Sequence, residues 1–180
     1  TTIACGDGSY ENIYGGANNA SINGNVTLNV KGNTITNVFG GSKGSVGKPA
    51  NISGNVTLNL FGGTITNAFG GSDVNGNIGG VITVNVLDTV KSCPLSLDYV
   101  YGGSSNTAIK ATDNTKSSPV VNILHGTVNY DVFGGSYGDT ATVTSNPVVN
   151  IGDLESGRMT LKSEAFSFRE LLDPINVIIE

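Results

Sequence analysis

The chain has 180 residues, with 26 glycines against five prolines, no tryptophan and a formal net charge of −5. That length suffices for one domain with a core, while glycine without a triplet period excludes collagen and the prolines are too few for a stiff linker. Nine Lys and Arg with no basic cluster exclude a nucleic-acid partner, and no apolar run reaches membrane-spanning length, so no membrane insertion is expected.

The sequence itself shows no initiator Met and no signal peptide, and it opens inside a repeat. It reads as a processed or excised piece of a longer chain, whose flanking domains count among the expected partners. Cys5 is the first residue with special chemistry, and Cys93 follows about three repeats later. Direct pairing across that distance needs long connecting segments, and neither thiol has a neighbouring His or Cys for zinc, so both read as unpaired.

A first corner, "NIYGGA", stands at Asn12 to Ala17. The next repeat, "NVTLNVKGNTITNVFGGS" from Asn25, is repeated as "NVTLNLFGGTITNAFGGS" from Asn55. Leu28 and Val30, then Leu58 and Leu60, flank Asn29 and Asn59 in strict alternation, which is a strand with one buried face. Ile35 and Ile65 between threonines supply a second strand. The third copy, "VITVNVLD", is followed by the insertion "LDTVKSCPLSLD" at Leu87 to Asp98 and then the corner "DYVYGGS". "PVVNILHG" and "YDVFGGS" make a fourth copy, and "PVVNIGD" begins a fifth. Asn29, Asn59, Asn85, Asn122, Asn150 and Asn176 therefore fall in one column.

Short strands that return to one register every 26 to 37 residues, with no helical period between them, stack parallel, turn upon turn. The expected fold is all-β, a single-stranded right-handed parallel β-helix of about six rungs, a rod roughly 25–30 Å long. Residues 1–151 carry the repeats. Residues 152–180 lack Gly-Gly, hold Arg158 and Arg169, and read as a divergent last repeat or C-terminal cap of the same domain. The core should take Leu28, Val30, Ile35, Leu58, Leu60, Ile65, Val84, Val86, Val121, Ile123 and Val132. The Gly-Gly corners are expected to exploit positive φ.

The aromatic column Tyr14, Phe39, Phe69, Tyr101 and Phe133 is expected as a partly exposed ladder at the corner, because two members carry hydroxyls. With Tyr137 it forms the candidate binding surface. Variable segments follow each corner: Ala17 to Gly24, Ser42 to Gly54, Ser72 to Gly80, Ser104 to Pro119 and Ser136 to Pro147. They read as loops along one edge, a natural recognition surface on a rigid ladder. For catalysis, Asp98 and Asp131 are the one pair of carboxylates that successive rungs would bring together; capping of turn amides is the plainer role. His125 has no serine or cysteine partner in the pattern. No metal, cofactor or catalytic residue is expected. The Asn column is expected to hydrogen-bond along itself; beside it the Thr column of Thr27, Thr57 and Thr83 gives way to Val120 and Val148, which breaks any ice-binding array. The "NVT"-type sequons at Asn19, Asn25, Asn51 and Asn55 are by-products of a Thr- and Asn-rich repeat.

From about residue 10 to residue 151, the pattern "GNVTLNV.G.TITNVFGGS" resembles the repeats of large bacterial surface and secreted proteins often called adhesin-like. That resemblance implies a right-handed parallel β-helix, the fold shared with pectin-lyase-like enzymes and phage tailspikes. It also implies a non-catalytic module at the cell surface or outside the cell, adhesive or a rigid stalk, with a glycan or a host matrix protein as partner. The alternative it carries is a polysaccharide lyase or glycosidase, or a degenerate relative that binds glycan without cleaving it. Fold alone does not choose between them.

Overall fold

In a computed structural model of the chain, which describes residues 1–106 and 118–152, all nine strands pair in parallel. The strands are β1 (Thr2–Ile3), β2 (Ser9–Tyr14), β3 (Val26–Phe39), β4 (Val56–Phe69), β5 (Ile82–Val86), β6 (Leu95–Tyr101), β7 (Pro119–Ile123), β8 (Thr127–Phe133) and β9 (Val148–Ile151). They form two ladders. One runs β1-β3-β4-β5-β7-β9, and the other runs β2-β3-β4-β6-β8. β3 and β4 belong to both because each bends midway, where the register slips around Lys31 and where Asn33 and Gly63 take positive φ. Later turns break at the same bend, β5 giving way to β6 and β7 to β8. The result is the expected parallel β-solenoid, with about five turns in the described residues. The expected cap and Asn176 lie outside the described residues.

Register carries the sequence alternation straight into the core. Leu28, Leu58, Val84, Val121 and Val149 stack in one inward column, and Ile35, Ile65, Leu97 and Val128 in another. All of these are buried. Every expected core residue is likewise buried except Val132, which is partly buried against the same cluster on the fifth turn. The outward Asn column forms a continuous amide ladder: Asn59 donates to Asn29, Asn85 to Asn59, Asn122 to Asn85 and Asn150 to Asn122, each at 2.8 Å.

The segments after the corners are not simple loops. Asn18, Lys43, Asp73, Ser105 and Tyr137 pair in sequence through single parallel bridges, and so do Ile22, Ile52 and Ile78. Ile52 and Ile78 are buried with Val26, Val56 and Ile82 in a second apolar cluster. The solenoid therefore has a third side, irregular but in register. The expectation of loops failed because one Ile per copy, set among Gly, Ser and Asn, gives no alternation to read. Length differences are absorbed locally: Ser45 and Lys48 close a turn that leaves Val46 95% exposed. Most of Ser104 to Pro119 lies outside the described residues.

The corner glycines correct a second expectation. None of them takes positive φ. A Cβ on Gly40 would sit 2.5 Å from the Gly70 carbonyl oxygen and 2.9 Å from Val56, and one on Gly41 would sit 2.5 Å from the Ser72 hydroxyl. Glycine is required because the turns touch there, backbone on backbone. The serine that follows explains the crowding. Ser42, Ser72, Ser104 and Ser136 each accept a hydrogen bond from an amide of the preceding turn, at 3.0–3.1 Å. Ser42, Ser72 and Ser104 are buried, and this ladder satisfies amides that would otherwise be lost to water.

The cysteines are a third correction: Cys5 and Cys93 form a disulfide with Cα atoms 6.0 Å apart. Separation along the chain is a poor guide in a solenoid, because stacking returns each turn to the same edge. The Leu87 to Asp98 insertion also doubles back. Cys93 O accepts from Gly63 N, and Asp88 fixes the return by accepting from Leu95 N at 2.7 Å. A Cβ on Gly32 would lie 2.6 Å from Cys5 Cα and 3.0 Å from Cys93 Sγ, so the bridge runs over a glycine of the intervening turn.

Candidate functional site

The aromatic column forms at the corner for a geometric reason. One aromatic per turn, placed in register by β2, β3, β4, β6 and β8, must stack on its copies above and below. Tyr14, Phe39, Phe69, Tyr101 and Phe133 lie with centroids 4.8–5.0 Å apart and planes within 11°. Each inner ring has both faces covered, so Phe39, Phe69 and Tyr101 are only 3–7% exposed rather than partly open. Only Phe133, at the far end, is exposed.

Tyr137 behaves differently. It comes from the third side, meets Tyr101 edge-on with centroids 5.4 Å apart, tilts against Phe69, and stays 54% exposed. Beside the ladder on the other flank, Asn12, Asn37 and Asn67 form a second amide rail, Asn67 donating to Asn37 and Asn37 to Asn12 at 2.9–3.0 Å. In the next turn Tyr99 takes the place of the asparagine, opposite Asn67, and stacks on Tyr130. Sequence reasoning missed this rail although the "N" of "NVFGGS" and "NAFGGS" marks it. The signal was present and was read only as part of the corner.

These elements enclose an open groove of about 550 Å³. Its ladder residues are Phe39, Phe69 and Tyr101; one wall carries the amide rail and Tyr99, the other Asp73, Ser105 and Tyr137. The volume falls in the range of small-ligand sites. Of the six expected binding residues, Phe39, Phe69, Tyr101 and Tyr137 line it, Tyr14 touches it through Asp73, and Phe133 lies beyond it.

Asp73 accepts a hydrogen bond from the Tyr14 hydroxyl at 2.9 Å, and Lys43 Nζ lies 5.8 Å from the Tyr14 ring centre. Burial, then the Asp73 hydrogen bond and charge, push the Tyr14 phenol well above its ordinary pKa. Burial, with Tyr137, Tyr99 and Asp131 nearby, also raises that of Tyr101. Both phenols stay neutral donors over the physiological range.

Three of the acids are occupied as structural acceptors. Asp98 accepts from Asn129 at 2.9 Å, Asp88 from Leu95 N, and Asp73 from Tyr14. Asp98 and Asp131 are not brought into register. A shift in β6 and β8 puts Tyr99 opposite Asp131 instead. No cluster of three or more metal-ligating side chains occurs among the described residues, and those residues include no helix long and apolar enough to cross a membrane.

Comparison of the chain with protein-family models, with curated proteins and with solved structures finds no match to any of them.

Proposed function

We propose that the protein is a non-catalytic, extracellular β-helical binding module, with a glycan or matrix-protein ligand held in the groove beside the aromatic ladder. The groove is the observation that carries this reading. It joins a rigid, buried aromatic spine to an exposed Tyr137, to an amide rail and to oriented phenol and carboxylate groups, the mixture of apolar surface and placed polar atoms that small-ligand sites use. The Cys5–Cys93 bridge supports an oxidising compartment, where structural disulfides persist. Service as a polysaccharide lyase or glycosidase is the weaker reading, since Asp73, Asp88 and Asp98 are each engaged in holding structure. The likeness of the repeat to adhesin-like surface proteins belongs to the same proposal.

The test is binding of the intact protein to an array of glycans and matrix proteins, beside Tyr137→Ser. Tyr137 is exposed, so the variant should melt with the wild type and lose the signal. Release of reducing or unsaturated ends from a polysaccharide panel, abolished in Asp98→Asn or Asp131→Asn, would overturn the non-catalytic reading.

A further inference from the structure

Resting on that reading, we infer that the groove takes an uncharged linear polysaccharide laid along the solenoid axis, and discriminates against acidic chains. The first argument is donor and acceptor balance. Within the rail of Asn12, Asn37 and Asn67, the ladder bonds use one N–H and one lone pair of the middle amide. Each amide carries two of both, so a second donor and a second acceptor remain at each turn. A vicinal diol, itself donor and acceptor, matches such alternating sites. A uronate keeps its diol, but its carboxylate accepts only, so an amide donor–acceptor pair facing that group has its acceptor left unpaired.

The second argument is charge. Around the ladder, Glu11 and Asp73 act on Tyr14 and Asp131 acts on Tyr101, while Lys43 at the Tyr14 end is the cation found there among the described residues. Asp73 itself lines the groove and is held in place by Tyr14. An approaching uronate meets net negative charge. The third argument is direction. Lining residues run from Asn12 on the first turn to Tyr137 on the fifth, repeating at the spacing of the stacked rings. A pyranose chain advances by a similar step per residue, so sugars on the first three turns would meet equivalent amides, and those on the next two would meet Tyr99 and Tyr137 as apolar surfaces for their C–H faces.

The experiment is calorimetric titration of the intact protein with uncharged oligosaccharides of rising length (β-glucan, mannan, xylan and galactan series) and with oligogalacturonate and oligoguluronate. Affinity for at least one uncharged series should rise with length and level off near about five sugars, one per lined turn, with acidic chains at least about ten-fold weaker. Tyr137→Ser should weaken the uncharged ligand about ten-fold without a change in melting. Asp73→Asn keeps an acceptor for Tyr14 and should narrow the preference against acidic chains. Equal or tighter binding of acidic chains, or a preference untouched by Asp73→Asn, overturns the inference. Acidic-glycan or matrix-protein binding that Tyr137→Ser abolishes would keep the binding reading and discard the uncharged chain. Loss of both requires that nothing binds, or that Tyr137→Ser binds like the wild type.

Discussion

Replacing Gly40 by alanine separates two explanations of the repeated corner that predict opposite signs. If glycine served conformational freedom alone, alanine at this ordinary φ would restrict the unfolded chain and stabilise by about 0.4–1 kcal/mol. The structure places the new methyl 2.5 Å from Gly70 O, 2.9 Å from Val56 Cγ1 and 3.3 Å from the Gly70 carbonyl carbon. The first contact is to backbone just past β4, held because Phe69 O accepts from Gly40 N and Gly70 N donates to Tyr101 O, and the second is to a fully buried side chain. Neither can yield without parting the turns, so the cost should be about 1–3 kcal/mol, the range for an overpacked core, or somewhat above it. The hydrogen bond that Ser42 N donates to Ser72 Oγ, two residue pairs away, would suffer in the same shift. Urea denaturation followed by far-ultraviolet circular dichroism measures this, with Gly47→Ala as control: Gly47 has φ +76° and open space around it, so its substitution costs strain without a clash. A Gly40→Ala variant as stable as the wild type, or more so, would refute the close-approach account of every such corner.

Three further outcomes are expected. Removing the disulfide as Cys5→Ser/Cys93→Ser should cost roughly 4–5 kcal/mol on the chain-entropy estimate for an 88-residue separation, seen as a lower urea midpoint that reductant reproduces in the wild type and not in the variant. Leu58→Ala, at a fully buried position between Leu28 and Val84, should lose about 2–5 kcal/mol by transfer and cavity together; a loss below 1 kcal/mol, on the order of a surface change, would contradict the inward column. Because folding raises the Tyr14 and Tyr101 phenol pKa values, their contribution to stability is complete below the ordinary tyrosine pKa of about 10 and falls as pH climbs toward the folded values. Absorbance titration should therefore show these two phenols ionising late, and Tyr14→Phe should remove part of the alkaline loss of stability; two phenols titrating normally in the folded protein would contradict their burial.

What was legible in the sequence was whatever alternates. Leu28, Asn29 and Val30 return as Leu58, Asn59 and Leu60, and a parallel ladder follows from that repetition because one face must be buried each time. The aromatic column was legible for the same reason. Its burial was not, since exposure depends on the ring above and the ring below, and a hydroxyl on Tyr101 suggested water where stacking supplied Phe69 and Phe133. The third side hid because its inward contribution is one Ile per turn, at Ile22, Ile52 and Ile78. The disulfide hid because chain separation was read as distance. The groove was half legible: Tyr137 and the ladder were named, but the Asn12–Asn37–Asn67 rail and Tyr99 become a wall only once the second sheet is set beside the third side.

The way the copies differ now takes on a physical sense. Positions that touch the turn above and below vary little: Gly at the corner, Ser after it in the four copies from Ser42 on, and Asn on the first sheet from Asn29 on. Those are the positions where a change propagates along the rod, since each ladder bond satisfies a group on its neighbour. Tyr99 departs from this rule. It replaces an asparagine in the second rail, at the turn where Asp98 and Asn129 bond across a slipped register. Giving up an amide bond there ends the regular rail in a ring that lines the groove, and Tyr137 on the opposite wall comes from a segment that differs in length between copies. The solenoid tolerates such a departure because the first-sheet amide ladder runs past it unbroken, Asn122 donating to Asn85 and Asn150 to Asn122. On the proposed reading, recognition and rigidity would occupy different columns of the same turn, with the groove lying where a repeated corner meets a side that changes from copy to copy.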